Sequence, residues 1–325
     1  MEATNISTPV LFITFARPEY ARQSFDAIKK ARPLNLYFYS NKARMNHPDE
    51  IMRNNTVRDL INEIDWHCNL KIFFRDEYVD VFTSVRSAID WIFQNEEQAI
   101  ILEEDCVASV SFFNYCDLLL LKYEQDLRIW IISGDNFVEN QNFNNYSFFF
   151  TRNPHTHGWC SWRSRWTSLE NDLNTLPRLI EGNYFKQLYS NKCEREFMLA
   201  LYISLYKMEN KPISWDYLLL YTMLLNGGIG IAPSKNLVSN IGIVGANNNR
   251  KGKHNLLPVF NGDIYNLDTI PNITIVDQKY DAWLFKHYHH DMSFYSMFLF
   301  VFSAKLQMYY PTLWKSLKKV KHIFK

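Results

Sequence analysis

The most informative stretch of the sequence is Gln98-Ala99-Ile100-Ile101-Leu102-Glu103-Glu104-Asp105-Cys106, because an apolar run there passes directly into three consecutive carboxylates. The apolar part predicts a short buried strand that the acidic triplet terminates. Burying adjacent charges without partners costs several kcal/mol. We therefore expect Glu103, Glu104 and Asp105 at the carboxyl end of this strand, the edge at which open α/β sheets bind ligands. The alternative is a solvated acidic turn.

The residues that precede this stretch alternate between strand and helix patterns. Buried strands are predicted at 9–16, 34–39 and 70–74, and each ends in polar residues. Between them, Ala21, Phe25 and Ile28 share one helix face. Repetition of strand and helix before the acidic strand predicts an α/β fold with a mostly parallel, Rossmann-like sheet flanked by helices.

The residues that follow continue the same architecture. Strands are predicted at 128–133 and 229–232, and helices within 167–207 and from 217 to 225. No internal repeat or long linker interrupts the chain. We therefore predict one catalytic-type domain over residues 1–285, followed by a C-terminal amphipathic helical segment over 286–325.

The C-terminal segment has a pattern of its own. The apolar run from 292 to 304 is too short to span a bilayer. Beyond Pro311, one helix face carries Leu313, Leu317, Val320 and Phe324, and lysines occupy much of the rest. A basic amphipathic helix predicts association with an anionic membrane surface. The alternative is a helix docked on the core with its lysines in water.

Composition restricts the class of protein. The 325 residues are 47% hydrophobic and 16% aromatic, enough for a large core. A net charge of +1 shows no polyanion-binding signature and argues against nucleic acid as a partner. Five cysteines without a CxxC pair argue for reduced thiols. We expect a cytoplasmic protein, peripheral on the inner face of the cell membrane.

Two motifs carry a family resemblance over about residues 9–245. With Glu103-Glu104-Asp105 and Gly158-Trp159-Cys160-Ser161-Trp162-Arg163, the chain resembles nucleotide-sugar-dependent glycosyltransferases of the GT-A fold. It is most similar to bacterial enzymes distantly related to the Golgi N-acetylglucosaminyltransferase that initiates complex N-glycans. The acidic triplet takes the place of a Glu-Asp-Asp form of the DxD motif, and the second motif resembles Gly-Trp-Ala-Thr-Trp-Arg. Glu104 departs from the family, which has Asp there.

The resemblance implies a donor site at the acidic triplet. Asp105 would ligate Mn²⁺ or Mg²⁺ on the donor diphosphate, a pairing that suits hard carboxylate oxygens. Glu103 and Glu104 would hold nucleoside or ribose hydroxyls, or reach the ion through water.

Three further residues end the first three strands and are expected at the nucleotide edge: Arg17, Ser40 and Arg75. Two of them have simpler alternatives. Arg17 could cap a turn, and Arg75 could pair with Asp76 or Glu103.

The resemblance also implies catalytic and acceptor residues. Asp216 matches the position of the family's general base, with Asp135 in reserve; a helix-terminal carboxylate is the alternative for Asp216. Trp159 and Trp162 are expected either to stack on sugars or to lie in the core. His254, in a polar basic loop, would contact the diphosphate or metal once that loop closes.

The predicted function is metal-dependent transfer of a sugar from a nucleoside diphosphate, UDP by resemblance, to a glycan hydroxyl with inversion. The membrane-type tail suggests a lipid-linked or surface polysaccharide precursor as acceptor. One alternative is a sugar nucleotidyltransferase, although FARPEYAR lacks the Gly-rich loop that would hold a triphosphate. Another is a non-catalytic carbohydrate-binding protein of the same fold.

Overall fold

A computed structural model describes residues 6–137, 145–208, 212–242, 265–289 and 294–319. The strands are β1 (Val10–Thr14), β2 (Asn35–Ser40), β3 (Asn69–Phe74), β4 (Gln98–Glu103), β5 (Cys106–Ala108), β6 (Ile129–Ser133), β7 (Phe148–Thr151), β8 (Trp159–Trp162), β9 (Ile229–Pro233) and β10 (Val238–Asn240).

The helices are α1 (Pro18–Ala31), α2 (Pro48–Arg58), α3 (Val81–Asn95), α4 (Val110–Tyr123), α5 (Arg163–Trp166), α6 (Leu176–Glu181), α7 (Tyr184–Leu188), α8 (Lys192–Tyr206), α9 (Trp215–Leu225), α10 (Gln278–Leu284), α11 (Phe294–Tyr309) and α12 (Pro311–Lys319). A 3₁₀ turn covers Asp59–Glu63 and a π turn covers Phe285–His289. Within these ranges no helix is both long and apolar enough to cross a bilayer.

One eight-stranded sheet, in the order β3-β2-β1-β4-β8-β6-β9-β7, forms the centre of the fold. β1 pairs in parallel with β2 and β4, β2 with β3, and β6 with β9. The exceptions are β8, antiparallel to β4 and β6, and β7, antiparallel to β9. The predicted α/β fold with a mostly parallel, Rossmann-like sheet flanked by helices is confirmed.

The central strands and α1 form because their apolar residues face covering layers. Every residue of β1 and β6 is buried, as expected for strands covered on both faces. In α1, Pro18 occupies the first turn, where its missing N–H removes no helical bond. The apolar face of α1, predicted from Ala21, Phe25 and Ile28, is fully buried. The sequence periodicity thus places α1 against the sheet.

The chain divides into two compact units. Unit 1 comprises residues 1–169 with 222–281 and contains the sheet; unit 2 comprises 170–221 with 282–325. In unit 2, α11 packs on α8, and the rings of Phe197 and Phe300 lie 5.7 Å apart. The boundaries that the sequence suggests, a catalytic-type domain over 1–285 and an amphipathic segment over 286–325, stay a prediction. A contact between helices so far apart in sequence leaves no local pattern from which to predict it.

Candidate functional site

The site begins where β1 and β4 end side by side. Ile13 lies opposite Glu103 in their parallel register, so the turn after each strand emerges at the same sheet edge. The β1–α1 turn presents Arg17 there, and the turn after β4 presents Glu104 and Asp105. Strand register alone therefore brings the acidic triplet and Arg17 together, as the sequence predicts.

Arg17 joins both carboxylates. Its Nε donates to Glu104 Oε1 at 2.6 Å and its Nη2 to Asp105 Oδ2 at 2.9 Å. The second Glu104 oxygen, Oε2, accepts the backbone N–H of Phe15 at 2.7 Å. The Arg17 side chain is 25% exposed, against 5% for Glu104 and 12% for Asp105. Arg17 is thus the solvent-facing member of an otherwise buried ion-pair network.

Burial and neighbouring charges shift the pKa values of Arg17 and Glu104 in opposite directions. Burial disfavours the charged guanidinium, but Glu104 and Asp105 outweigh it and raise the pKa of Arg17 above its ordinary value. Burial raises the pKa of Glu104, and Arg17 with the Phe15 N–H opposes that rise. Removing Arg17 would therefore leave two poorly solvated carboxylates adjacent to one another.

The segment that follows β10 covers the acidic turn. β10 pairs antiparallel with β5, and the backbone N–H of Ile241 donates to the Asp105 carbonyl at 2.9 Å. A Cβ at Gly242 would lie 2.0 Å from Asp105 Oδ2. Only glycine permits the backbone to approach this carboxylate so closely.

A second polar cluster lies at the end of β6. Asp135 is 1% exposed, and its Oδ2 lies 3.1 Å from His157 Nδ1 and 3.7 Å from His155 Nδ1. Its other oxygen, Oδ1, is buried and has no hydrogen-bond partner among the residues that the structure describes. His157 lies two residues before β8, and the antiparallel direction of β8 places His157 at the edge where β4 and β6 end.

The two clusters belong to one electrostatic site. Burial alone would lower the pKa of His157. The hydrogen bond to Asp135 and the negative charges of Asp135, Glu103 and Asp105 outweigh burial, so the pKa of His157 is raised above its ordinary value. His155 behaves in the opposite way, since burial lowers its pKa to about 4. His157 therefore attracts a proton at this edge, whereas His155 stays neutral.

Ser40 and Arg75 have structural partners. Ser40 is fully buried, and its hydroxyl accepts hydrogen bonds from Arg58 Nε at 3.2 Å and Asn54 Nδ2 at 3.3 Å. Arg75 donates from Nη1 to the Ser87 hydroxyl at 3.1 Å. Arg58, which the sequence did not single out, also donates to the carbonyls of Ser40, Asn41 and Arg75. The Arg58 guanidinium thus connects the loop after β2 to the loop after β3 through hydrogen bonds.

Trp159 and Trp162 lie in the core, which was one of the two sequence expectations. They are 1% and 3% exposed as members of β8, and the Arg165 guanidinium covers the Trp162 ring at 4.5 Å. At this burial neither indole has a face open to a sugar, so the structure does not support the stacking interpretation.

The remaining predicted residues are Asp216 and His254. Asp216 follows Trp215 at the start of α9 in unit 2. Its Oδ1 is buried without a hydrogen-bond partner within the described ranges. Its role as general base stays a prediction. His254 lies outside the described residues.

The acidic turn is a poor ready-made metal site. Across the described parts of the chain, no three His, Cys, Asp or Glu side chains are grouped to hold an ion. Arg17 and Phe15 engage both Glu104 oxygens and one Asp105 oxygen. The other Asp105 oxygen, Oδ1, lies 3.8 Å from the Cys106 thiol, a weak donor.

The sequence analysis missed His155 and His157 and held Asp135 only in reserve. A signal for them existed in His155-Thr156-His157, directly before Gly158. Gly158 has φ +69°, a left-handed conformation that favours glycine. His155 and His157, as polar residues before a glycine turn, could have been predicted to lie at the edge of the sheet.

No protein family description matches the sequence, and comparison with curated proteins gives no significant match. Among solved structures, the chain resembles the mannosyltransferase PcManGT from Pyrobaculum calidifontis in complex with GDP-Man and Mn²⁺, at 12% identity and TM-score 0.34. That match covers 50% of this chain and only 46% of the mannosyltransferase.

It also resembles a UDP-glucose pyrophosphorylase complexed with UDP-glucose, at 7% identity and TM-score 0.36, over 72% of this chain and 93% of that one. A putative glucose-1-phosphate thymidylyltransferase from Bacillus anthracis gives 7% identity and TM-score 0.34, over 70% and 85%. These structures include a glycosyltransferase and a pyrophosphorylase. Because the TM-scores are low, the function has to be argued from the residues of this chain.

Proposed function

We propose that the chain is a nucleotide-sugar-dependent glycosyltransferase whose donor site lies at the carboxyl ends of β1 and β4. The observation that carries the proposal is the shared electrostatic site of Arg17, Glu104 and Asp105 with the Asp135–His157 pair. A cation, carboxylates and a proton acceptor at one sheet edge are the groups that transfer from a diphosphate leaving group needs.

The donor half of the site would bind the charged part of the nucleotide sugar. Arg17 is the partly exposed member of its network, and the guanidinium N–H groups that its two carboxylate contacts do not use would bind phosphate oxygens. Asp105 Oδ1 would hold Mn²⁺ or Mg²⁺, and that ion would neutralise the diphosphate. Glu104, with both oxygens engaged, would fix the turn that presents Arg17.

The acceptor half would handle the proton. In the transfer, the anomeric carbon–oxygen bond to the diphosphate breaks, the acceptor oxygen bonds to that carbon, and a base takes the acceptor proton. The base predicted from resemblance is Asp216. The Asp135–His157 pair is a second candidate, because a histidine that donates Nδ1–H to a carboxylate keeps Nε2 as an acceptor.

One observation favours this proposal over sugar nucleotidyl transfer. The β1–α1 turn, Phe15-Ala16-Arg17, has no glycine, and the Phe15 N–H is bonded to Glu104. A loop that holds a triphosphate normally directs several free backbone N–H groups at it. The turn is better suited to support a side-chain cation.

The first test is a thermal-shift screen of nucleoside diphosphates and their sugars, with and without Mn²⁺, on the wild type and Asp105→Asn. A ligand at about 100 times its Kd should stabilise the protein by about 2.7 kcal/mol. We expect one nucleotide to give a metal-dependent shift that Asp105→Asn abolishes. Asp26→Asn, at a half-exposed carboxylate of α1, is the matched control and should keep the shift.

A second assay identifies the reaction. Incubation with the selected nucleotide sugar should release the nucleoside diphosphate slowly, and both Asp216→Asn and His157→Gln are compared with the wild type to identify the base. Formation of nucleoside triphosphate from added pyrophosphate would instead assign nucleotidyl transfer. Absence of any nucleotide-dependent shift would overturn the donor site altogether.

A further inference from the structure

Helix α11 has one face covered by its own unit. Met297 and Ala304 are buried, and Phe300 contacts Phe197 of α8. Lys305 forms an ion pair with Glu196 on α8. Helix α11 is therefore packed on α8 of the same unit.

The other face of α11 presents a row of aromatic side chains to solvent. Four residues form this aromatic face, each between 47% and 69% exposed: Tyr295, Phe298, Phe302 and Tyr309. At about 100° per residue they lie within an arc of roughly 60°. The rings of Phe298 and Phe302 stack at 6.1 Å. Large exposed apolar side chains arranged in one row indicate an interaction surface.

Helix α12 extends this surface. It begins at Pro311, directly after the exposed Tyr310, and its Leu313 is 50% exposed. Lys315, two residues further, is also exposed. The helix thus places apolar and cationic side chains next to the aromatic face.

The charge of this region indicates the partner. Residues 292–325 contain six lysines and no acidic residue, whereas the rest of the chain has 29 Lys and Arg against 34 Asp and Glu. The lysines are Lys305, Lys315, Lys318, Lys319, Lys321 and Lys325. Such a segment attracts an anionic surface, and a second copy of the same segment would repel it.

We propose that the aromatic face of α11, together with α12, binds the surface of an anionic lipid bilayer. Tyrosine and phenylalanine rings would enter the headgroup region, with the helix axis parallel to the membrane plane. The exposed Lys315 of α12 would contact anionic headgroups. The sequence predicts membrane association from the basic helix and the aromatic-rich segment beside it; the structure shows which side chains of α11 are exposed for that contact. This proposal is independent of the transferase activity.

Vesicle sedimentation of the full chain tests the proposal. The wild type should pellet with vesicles of phosphatidylcholine containing phosphatidylserine, more weakly at high salt and hardly at all with phosphatidylcholine alone. The double variant Phe298→Ser/Phe302→Ser should weaken binding by about tenfold or more. Lys315→Ala should weaken it by about fivefold, and only on anionic vesicles.

Controls separate lipid binding from misfolding and self-association. Leu121→Ser removes an even more exposed apolar side chain, from α4, and should leave vesicle binding unchanged. All variants should keep the wild-type circular dichroism spectrum, since the altered side chains are exposed. Equal binding by the double variant would overturn the proposal. So would a wild-type dimer in sedimentation velocity that the double variant abolishes while vesicles bind neither protein.

Discussion

Among the individual residues, Arg17 is the one that neutralises the charges of Glu104 and Asp105. Each carboxylate is nearly buried, and Arg17 reaches both with different nitrogens. Removing one partner of a buried ion pair is strongly destabilising, because the remaining charge then has neither its partner nor water around it. The same guanidinium that we propose for phosphate binding therefore also maintains the fold of this edge.

Arg17→Gln should lower the free energy of unfolding by about 3 kcal/mol, because two carboxylates lose their cation. Arg22→Gln is the control, since the side chains of Arg22 and its partner Glu63 are 42% and 44% exposed and their pair should contribute much less to stability. Urea unfolding followed by tryptophan fluorescence measures both. Equal losses in the two variants would contradict the buried network.

His157 should make stability fall as pH rises. Its folded-state pKa lies above the unfolded value because of Asp135, Glu103 and Asp105, so its contribution is complete below about pH 6.5 and is lost as pH passes the folded pKa. In His157→Gln, the fall in Tm on the alkaline side of pH 6.5 should be smaller than in the wild type. His47→Gln, at an exposed site, is the control.

His155 acts on the acidic side and with the opposite sign. Burial lowers its pKa to about 4, so its contribution is present above the unfolded value and is lost as pH falls from about 6.5 towards 4. The same Tm series, extended to lower pH, should still show this acid loss in His157→Gln. A flat acidic limb in that variant would contradict the assignment.

At the scale of elements, the reversal into β8 determines where His157 lies. Gly158 adopts φ +69° before β8, and a Cβ there would lie 2.8 Å from Val238 Cγ1. Leu237 N–H donates to the Gly134 carbonyl at 2.9 Å, which keeps the β10 segment close to this turn. Gly158 thus allows β8 to enter between β4 and β6 beneath that segment.

Gly158→Ala should destabilise the protein by about 2 to 4 kcal/mol, from left-handed backbone strain and from overpacking against Val238. Gly227→Ala isolates the first contribution. Gly227 also has positive φ, +61°, but an added Cβ would meet nothing within 4 Å. We expect about 1 to 2 kcal/mol there. Chemical denaturation of both variants measures the difference, and indistinguishable values would argue against the close approach at Gly158.

At the scale of the whole molecule, each unit depends on segments far apart in sequence. Unit 2 joins residues 170–221 with 282–325, and α8 packs on α11 within it. Helices α6 and α7 also pack on α8. The tail is therefore a part of the hydrophobic packing of unit 2.

A chain ending at residue 289 should lose the cover of α8, because α11 is removed. We expect a lower Tm and increased binding of the dye ANS, which reports exposed apolar surface. A chain ending at residue 319, which keeps α11 and α12, should match the full-length protein in both measurements. If the shorter chain matched it as well, α11 would contribute nothing to the packing of unit 2.

The sequence determined the features that local pattern encodes. Apolar runs located β1, β2 and β4, helix periodicity located the buried face of α1, and strand ends located Arg17 and the acidic triplet at one edge. These follow from residues close together in the chain, because strand length, helix period and terminating charges are local properties.

Only the tertiary structure decided the contacts between distant residues. It pairs Asp135 with His157 across 22 positions, inserts β8 antiparallel so that Trp159 and Trp162 are buried, and joins Glu196 to Lys305 through α8 and α11. A local pattern states that a surface is apolar or a group is charged, but not which distant segment covers or neutralises it. That choice depends on the packing of the whole chain.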